Sequence, residues 1–170
     1  MTFAVRGFKV SAGILVIMKE FDYSLDYKTL DFTNSSTRKL YRIGRGEQGV
    51  LLVRPYTENI CKYWRFRDEV TARKSALKIY QMFLDYSREG DFIGMDMARK
   101  FLEMGFTRAR RYANHRSGKK YSETGETLPQ DKDALACEKA RAATIFKQYR
   151  DLAAKDPEYI KMRQDWRASE

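Results

Sequence analysis

The sequence predicts an α+β, mostly α protein: a single compact helical domain over residues 18–170, with an N-terminal β-hairpin and a small second hairpin. Three observations predict it. Beyond residue 68, apolar residues recur at helical spacing over long segments. Acidic caps and glycine or proline stops punctuate those segments. Ahead of them, Leu40–Val53 has a strand–turn–strand pattern. The chain has 170 residues with 43% hydrophobic and 14% aromatic content, enough for one core of useful size.

The first hairpin reads as Leu40–Ile43, a glycine-rich turn over Gly44–Gly49, and Val50–Val53, stopped by Pro55 because proline cannot donate to a ladder. Asp68 is a good N-cap for a helix running to about Arg88, with a seam at Val70, Leu77, Tyr80, Phe83 and Leu84 and a stop at Gly90. Asp91 caps a second helix with Ile93, Met97, Phe101 and Met104 on one face, closed by Gly105. Thr107 caps a third, short helix, Arg108–Arg116, ended near Gly118. Tyr121–Leu128 is the second hairpin, with Thr124 and Gly125 at its tip. Pro129 and Asp131 or Asp133 lead into a long helix to about Ala154, with Leu135, Ala142, Ile145 or Phe146, Tyr149 and Leu152 inward. Asp156 followed by Pro157 starts a last helix carrying Ile160 and Trp166.

Residues 1–17 have a different character and read as an N-terminal extension upstream of Met18, which is expected to be the usual start; an added edge strand is the alternative. Their apolar run, Ala12–Met18, is too short to span a bilayer and lacks a small-residue cleavage site, so no membrane association is expected. Cys61 and Cys137 stand alone, outside any C-x-x-C pattern, and a reducing cytoplasm fits them. With His115 as the single histidine, a structural zinc site lacks ligands, and neither a metal nor a cofactor is expected.

The charge distribution carries the functional signal. Ala98–Tyr121 holds eight Lys or Arg against the single acid Glu103, so that segment accounts for +7 of the chain's +10. Cations clustered this way focus potential where scattered ones are screened, and they point to a polyanion or a phosphate. Arg108, Arg111 and His115 share one face of the third helix, with Arg110 and Asn114 beside them. Ala109, Tyr112 and Ala113 form the face that packs on the protein. Arginine forks fit phosphate oxygens, and Arg and Asn are also side chains that read base edges. Two helices separated by Gly105–Thr107, the second of them basic, have helix-turn-helix spacing, and Lys119 and Lys120 lead into a hairpin placed where a wing would be.

Gly44, Gly46 and Gly49 match G-x-G-x-x-G, but the dinucleotide fingerprint needs a helix to follow, and Val50–Val53 reads as a strand. A hairpin turn is the simpler reading. A phosphate nest of Gly44, Gly46 and Gly49 assisted by Arg42 and Arg45 is the alternative. His115 and Glu47 are the candidate acid–base residues for an enzyme, though no spacing makes a known catalytic pair. The aromatics of the first half, Tyr41, Trp64 and Phe66 among them, could stack bases but are expected in the core.

Several blocks resemble a known family: Phe21–Tyr27, Gly44–Val53, Tyr63–Phe66, Tyr80–Tyr86 and Met97–Tyr121. From Met18 onward the chain is similar to an uncharacterised family of small proteins of bacteria, some eukaryotes and tailed phages, described only as a domain of unknown function. The resemblance implies no activity, substrate or catalytic residue.

The expected function is nucleic-acid binding, DNA or RNA, in preference to catalysis, which the sequence leaves open. Phosphate contact is expected from Arg99, Lys100, Arg108, Arg110, Arg111, Arg116, Lys119 and Lys120, and base or sugar contact from Asn114 and His115. A small enzyme on a phosphorylated or nucleotide substrate, using Gly44–Gly49 and His115, is the second reading; a scaffold for an acidic partner is the third.

Overall fold

Aspartates at 68, 91 and 156 set the starts of three helices. Each accepts a hydrogen bond from a first-turn amide: Asp68 from Thr71 at 2.7 Å, Asp91 from Gly94 at 3.1 Å, and Asp156 from Tyr159 at 2.9 Å. The Thr71 amide holds the Asp68 carboxyl down at about 2. The structure, a computed structural model, describes residues 20–170; the expectations for residues 1–17 and for Met18 as the start lie outside the described residues. Six α-helices appear among the described residues: α1 (Ser35–Arg38), α2 (Tyr56–Cys61), α3 (Glu69–Arg88), α4 (Phe92–Asn114), α5 (Glu138–Lys155) and α6 (Pro157–Ser169). α3, α4 and α5 pack on one another as the core, and α2 and α6 lie against α4.

The α+β expectation is overturned, because the described residues contain no strand. Tyr41–Gly44 is irregular and the residues after it form a chain of turns, with Gln48, Val50 and Leu52 amides each donating to the carbonyl three residues back. Val50 and Val53 are buried while Leu51 is exposed, so the inward spacing is three, whereas a half-buried strand requires two. Gly49 has φ of +77° and sits so close to the Phe21 ring that a Cβ would come within 2.2 Å of it. The second hairpin shrinks to one bridge, Tyr121 to Thr127, with the chain turning back at Gly125.

The expected break at Gly105 is also absent: α4 runs through it without interruption. A Cβ on Gly105 would fall 2.3 Å from the buried Phe146 ring, so the missing side chain lets α4 pack closely on α5 at this position. Two expected helices and a turn are one helix, and the helix-turn-helix reading goes with them.

Smaller corrections follow from packing. α3 buries Ala72, Ala76, Ile79 and Phe83, leaving Val70 and Leu77 exposed. α5 begins at Glu138, so Leu135 lies in the loop before it, 89% exposed; Leu152 is exposed as well. On α6 the buried residue is Tyr159 and Ile160 faces outward. Asp91 does more than cap α4, since it pairs with Arg38 at 2.9 Å and accepts from the Tyr56 hydroxyl at 2.5 Å, tying α1 and α2 to the start of α4.

Gly105→Ala tests the continuous helix. In an exposed helix interior this change would add about 1 kcal/mol of propensity. Here the methyl must displace the Phe146 ring, and overpacking of this kind costs about 1–3 kcal/mol. A net fall in thermal midpoint is expected; a rise would remove the close contact from the account.

Candidate nucleic-acid interface

Asp96 divides the basic segment in two. It lies in the second turn of α4 with no exposed surface, and its carboxylate accepts hydrogen bonds from Tyr41 and from Tyr159 (2.7 Å) and pairs with Arg99 (2.9 Å). Lys100, with no exposed surface either, stands 3.6 Å from the same carboxylate and donates to the Gln48 carbonyl at 2.8 Å. Arg99 also donates to the Tyr159 hydroxyl at 2.7 Å. Burial by itself would raise the Asp96 carboxyl, but Arg99, Lys100 and the two tyrosine hydroxyls outweigh it and hold the group well below the carboxylate range. Burial pushes the Lys100 ammonium down to about 8 against the pull of Asp96. Arg99 and Lys100, expected at a phosphate backbone, thus face the interior.

The glycine turn belongs to this interior network. Its carbonyls at Gly46 and Gln48 accept from Arg99 (3.4 Å) and Lys100 (2.8 Å), while the Arg45 amide is held by the Gln48 side chain at 2.9 Å. A phosphate nest presents amides to its ligand; this turn presents carbonyls to cations. Gly44, Gly46 and Gly49 are not among the residues that line the groove containing His115. Arg42 donates to the Lys39 and Tyr41 carbonyls and lines a separate hollow of about 490 Å³ beside Arg38 and Trp166; Arg45 is exposed. Glu47 alone of this group reaches toward the basic half of α4, accepting from the Thr107 hydroxyl at 2.7 Å.

The C-terminal half of α4 behaves differently. Ala109 and Ala113 pack inward as expected, and Tyr112 is 40% exposed, its ring against Phe66 and Gly118 rather than in the core. The guanidinium of Arg110 is bound to the Asn114 side-chain oxygen at 2.9 Å and to the Ala134 carbonyl. Arg116 pairs with Asp133 at 3.0 Å, and its amide donates to Asp131 at 2.8 Å. The Asp131 amide returns a bond to the Asn114 carbonyl at 2.7 Å. These contacts fold the loop that follows α4 back over its end. Arg108, Arg111, Lys119 and Lys120 remain exposed and make no ion pair with the described residues.

Between the folded-back loop and α4 lies a groove of about 340 Å³. Arg110, Arg111, Asn114, His115 and Lys120 line it together with apolar Phe106 and Leu128, and none of its lining residues is acidic. Five of the ten residues expected to bind nucleic acid therefore meet in one concavity. Arg108, Arg116 and Lys119 lie on the same stretch of chain but outside its lining, while Arg99, partly buried, and Lys100, fully buried, are turned toward Asp96. Sequence reasoning missed Asp96, Tyr41 and Tyr159. Its one available signal was an acid flanked by Met95 and Met97 with bases three and four residues on, a spacing that places all three charges together.

An all-helical domain with a cationic groove at the end of its central helix is the class the fold defines. The chain belongs to the family described as a domain of unknown function (DUF4385), whose model matches residues 22–169. No curated protein and no solved structure matches it. Among the described residues, no helix is long and apolar enough to cross a membrane.

Asp96→Asn is expected to cost about 3–5 kcal/mol, the penalty for leaving buried cations without their counter-charge. Denaturant midpoints measure it, and a loss below about 1 kcal/mol would reduce the network to a passive cluster. In the parent protein the Asp96 contribution is complete above about pH 4 and declines as pH falls, because the unfolded chain then takes up a proton that native Asp96 refuses. Lys100 adds a slope of the same sign at higher pH: from pH about 8 to 10.5 the native state has shed a proton the unfolded chain keeps, so stability again rises with pH.

Proposed function

We propose that this protein binds nucleic acid through the C-terminal half of α4 and the loop that folds over it. The observation that carries the reading is the set of four exposed, unpaired cations, Arg108, Arg111, Lys119 and Lys120, around a groove without an acid. Cations left without counter-charges gather an anion atmosphere, and a polyanion that displaces it gains counterion-release free energy. With the helix-turn-helix geometry gone, the contact is to the phosphate backbone and not a recognition helix in a major groove.

Four neutralised phosphates give a log–log salt slope of about −3.6 on duplex and about −2.8 on single strands. Fluorescence anisotropy across a salt series measures it. The double change Arg108→Ala with Arg111→Ala should roughly halve the slope while moving stability by no more than about 0.5 kcal/mol, since both side chains are exposed. No binding of either form at low salt rejects the reading, and unfolding of the double variant would make these arginines structural.

A further inference from the structure

We propose that the groove between α4 and the 120–130 loop seats one unstacked nucleotide, so that the nucleic acid bound is single-stranded. The inference rests on the binding reading above and deepens it. Phosphate contact alone calls for exposed cations on an open surface. The groove adds features that phosphates do not use.

Its walls include the apolar side chains of Phe106 and Leu128, and its volume of about 340 Å³ is at the small end of ligand pockets, which begin near 300 Å³. A planar base is a partner of that size with two apolar faces and a polar edge. Arg111 and Lys120 line the same groove and supply charge for the attached phosphate.

Two polar groups in the lining lack a partner in the protein. His115 is only 7% exposed, yet its ring makes no hydrogen bond with the described residues. The residue is mostly covered, but its ring nitrogens are not among the fully buried atoms that lack a partner, so they stay accessible in the groove that His115 lines and are free to meet a ligand or solvent there. Asn114 is fixed in orientation because its side-chain oxygen accepts from Arg110 Nε at 3.2 Å and from the guanidinium nitrogen Nη2 at 2.9 Å. Its amide nitrogen is thereby left as a donor with no partner among the described residues. An imidazole and an oriented amide donor in an apolar slot suit the hydrogen-bonding edge of an unpaired base. In a duplex that edge is occupied by the opposite base and its faces by stacked neighbours, so a paired base cannot enter.

Beside the groove, Tyr121 is 55% exposed and bridged to Thr127, a lining residue, with the Lys120 ammonium 5.5 Å from its ring centroid. It offers a stacking face for the next base along the strand.

The test compares a labelled oligothymidylate with a blunt duplex of equal length, using the full chain at one salt concentration. The single strand should bind about tenfold more tightly, as one seated base implies. Leu128→Ala should weaken single-strand binding about fivefold through lost apolar contact, with duplex affinity and salt slope unchanged. Asn114→Asp keeps the oxygen that Arg110 needs and removes the donor, so it should also reduce the preference; thermal melting checks that both variants fold. Lys119→Ala, outside the groove, should weaken both forms alike. Thymidine monophosphate should displace the strand at concentrations where inorganic phosphate does not. Equal binding of strand and duplex, or a preference untouched by both groove variants, overturns the nucleotide seat and leaves the backbone-binding reading standing. Binding of neither form overturns both.

Discussion

A carboxylate removed from water stays ionised only if charges and hydrogen-bond donors surround it, and the rest of this structure depends on how Asp96 meets that condition. Its donors come from three parts of the chain: Tyr41 from the turns before α2, Arg99 and Lys100 from α4 itself, and Tyr159 from α6. Apolar packing alone would bring these segments together without fixing their register, since hydrophobic burial has no direction. The hydrogen bonds do have direction. They set the rotation of α4 about its axis and so decide which of its side chains can reach solvent.

That rotation has a functional consequence. The basic segment is one run in the sequence, but its first two cations are turned toward Asp96 and its later ones toward the surface. Arg110 and Arg116 then bind the loop after α4, through Ala134 and Asp133. Eight positive charges thus divide into interior counter-charges, loop anchors and free cations. Only the last group is available to a polyanion, so the effective binding charge is about half of what composition suggests.

The glycines show how little a motif means without its surroundings. Gly44–Gly49 has the spacing of a phosphate-binding loop and forms turns whose carbonyls hold Arg99 and Lys100. Gly105 has the position of a helix stop and instead lets α4 approach Phe146. At Gly105 the residue type was noted from the sequence and its role misread; at Gly44–Gly49 a turn was expected and forms, but without the strands expected on either side. A glycine's missing side chain serves a sharp turn and a close contact equally well, and local sequence does not distinguish them.

The long helices, their aspartate caps and the clustering of charge near the end of α4 were determined by the sequence itself, because capping and periodicity involve residues a few positions apart. Arg111, Asn114, His115 and Lys120 were legible as binding candidates for the same reason. The absence of a strand at Leu40–Val53, the continuity of α4 and the inward turn of Arg99 and Lys100 were decided only in three dimensions. The partners responsible, Tyr41, Gln48 and Tyr159, lie 55, 52 and 63 residues from the groups they bind. The spacing of Asp96, Arg99 and Lys100 marks them as a local charge cluster, but whether that cluster faces water or the interior depends on what the fold brings beside it.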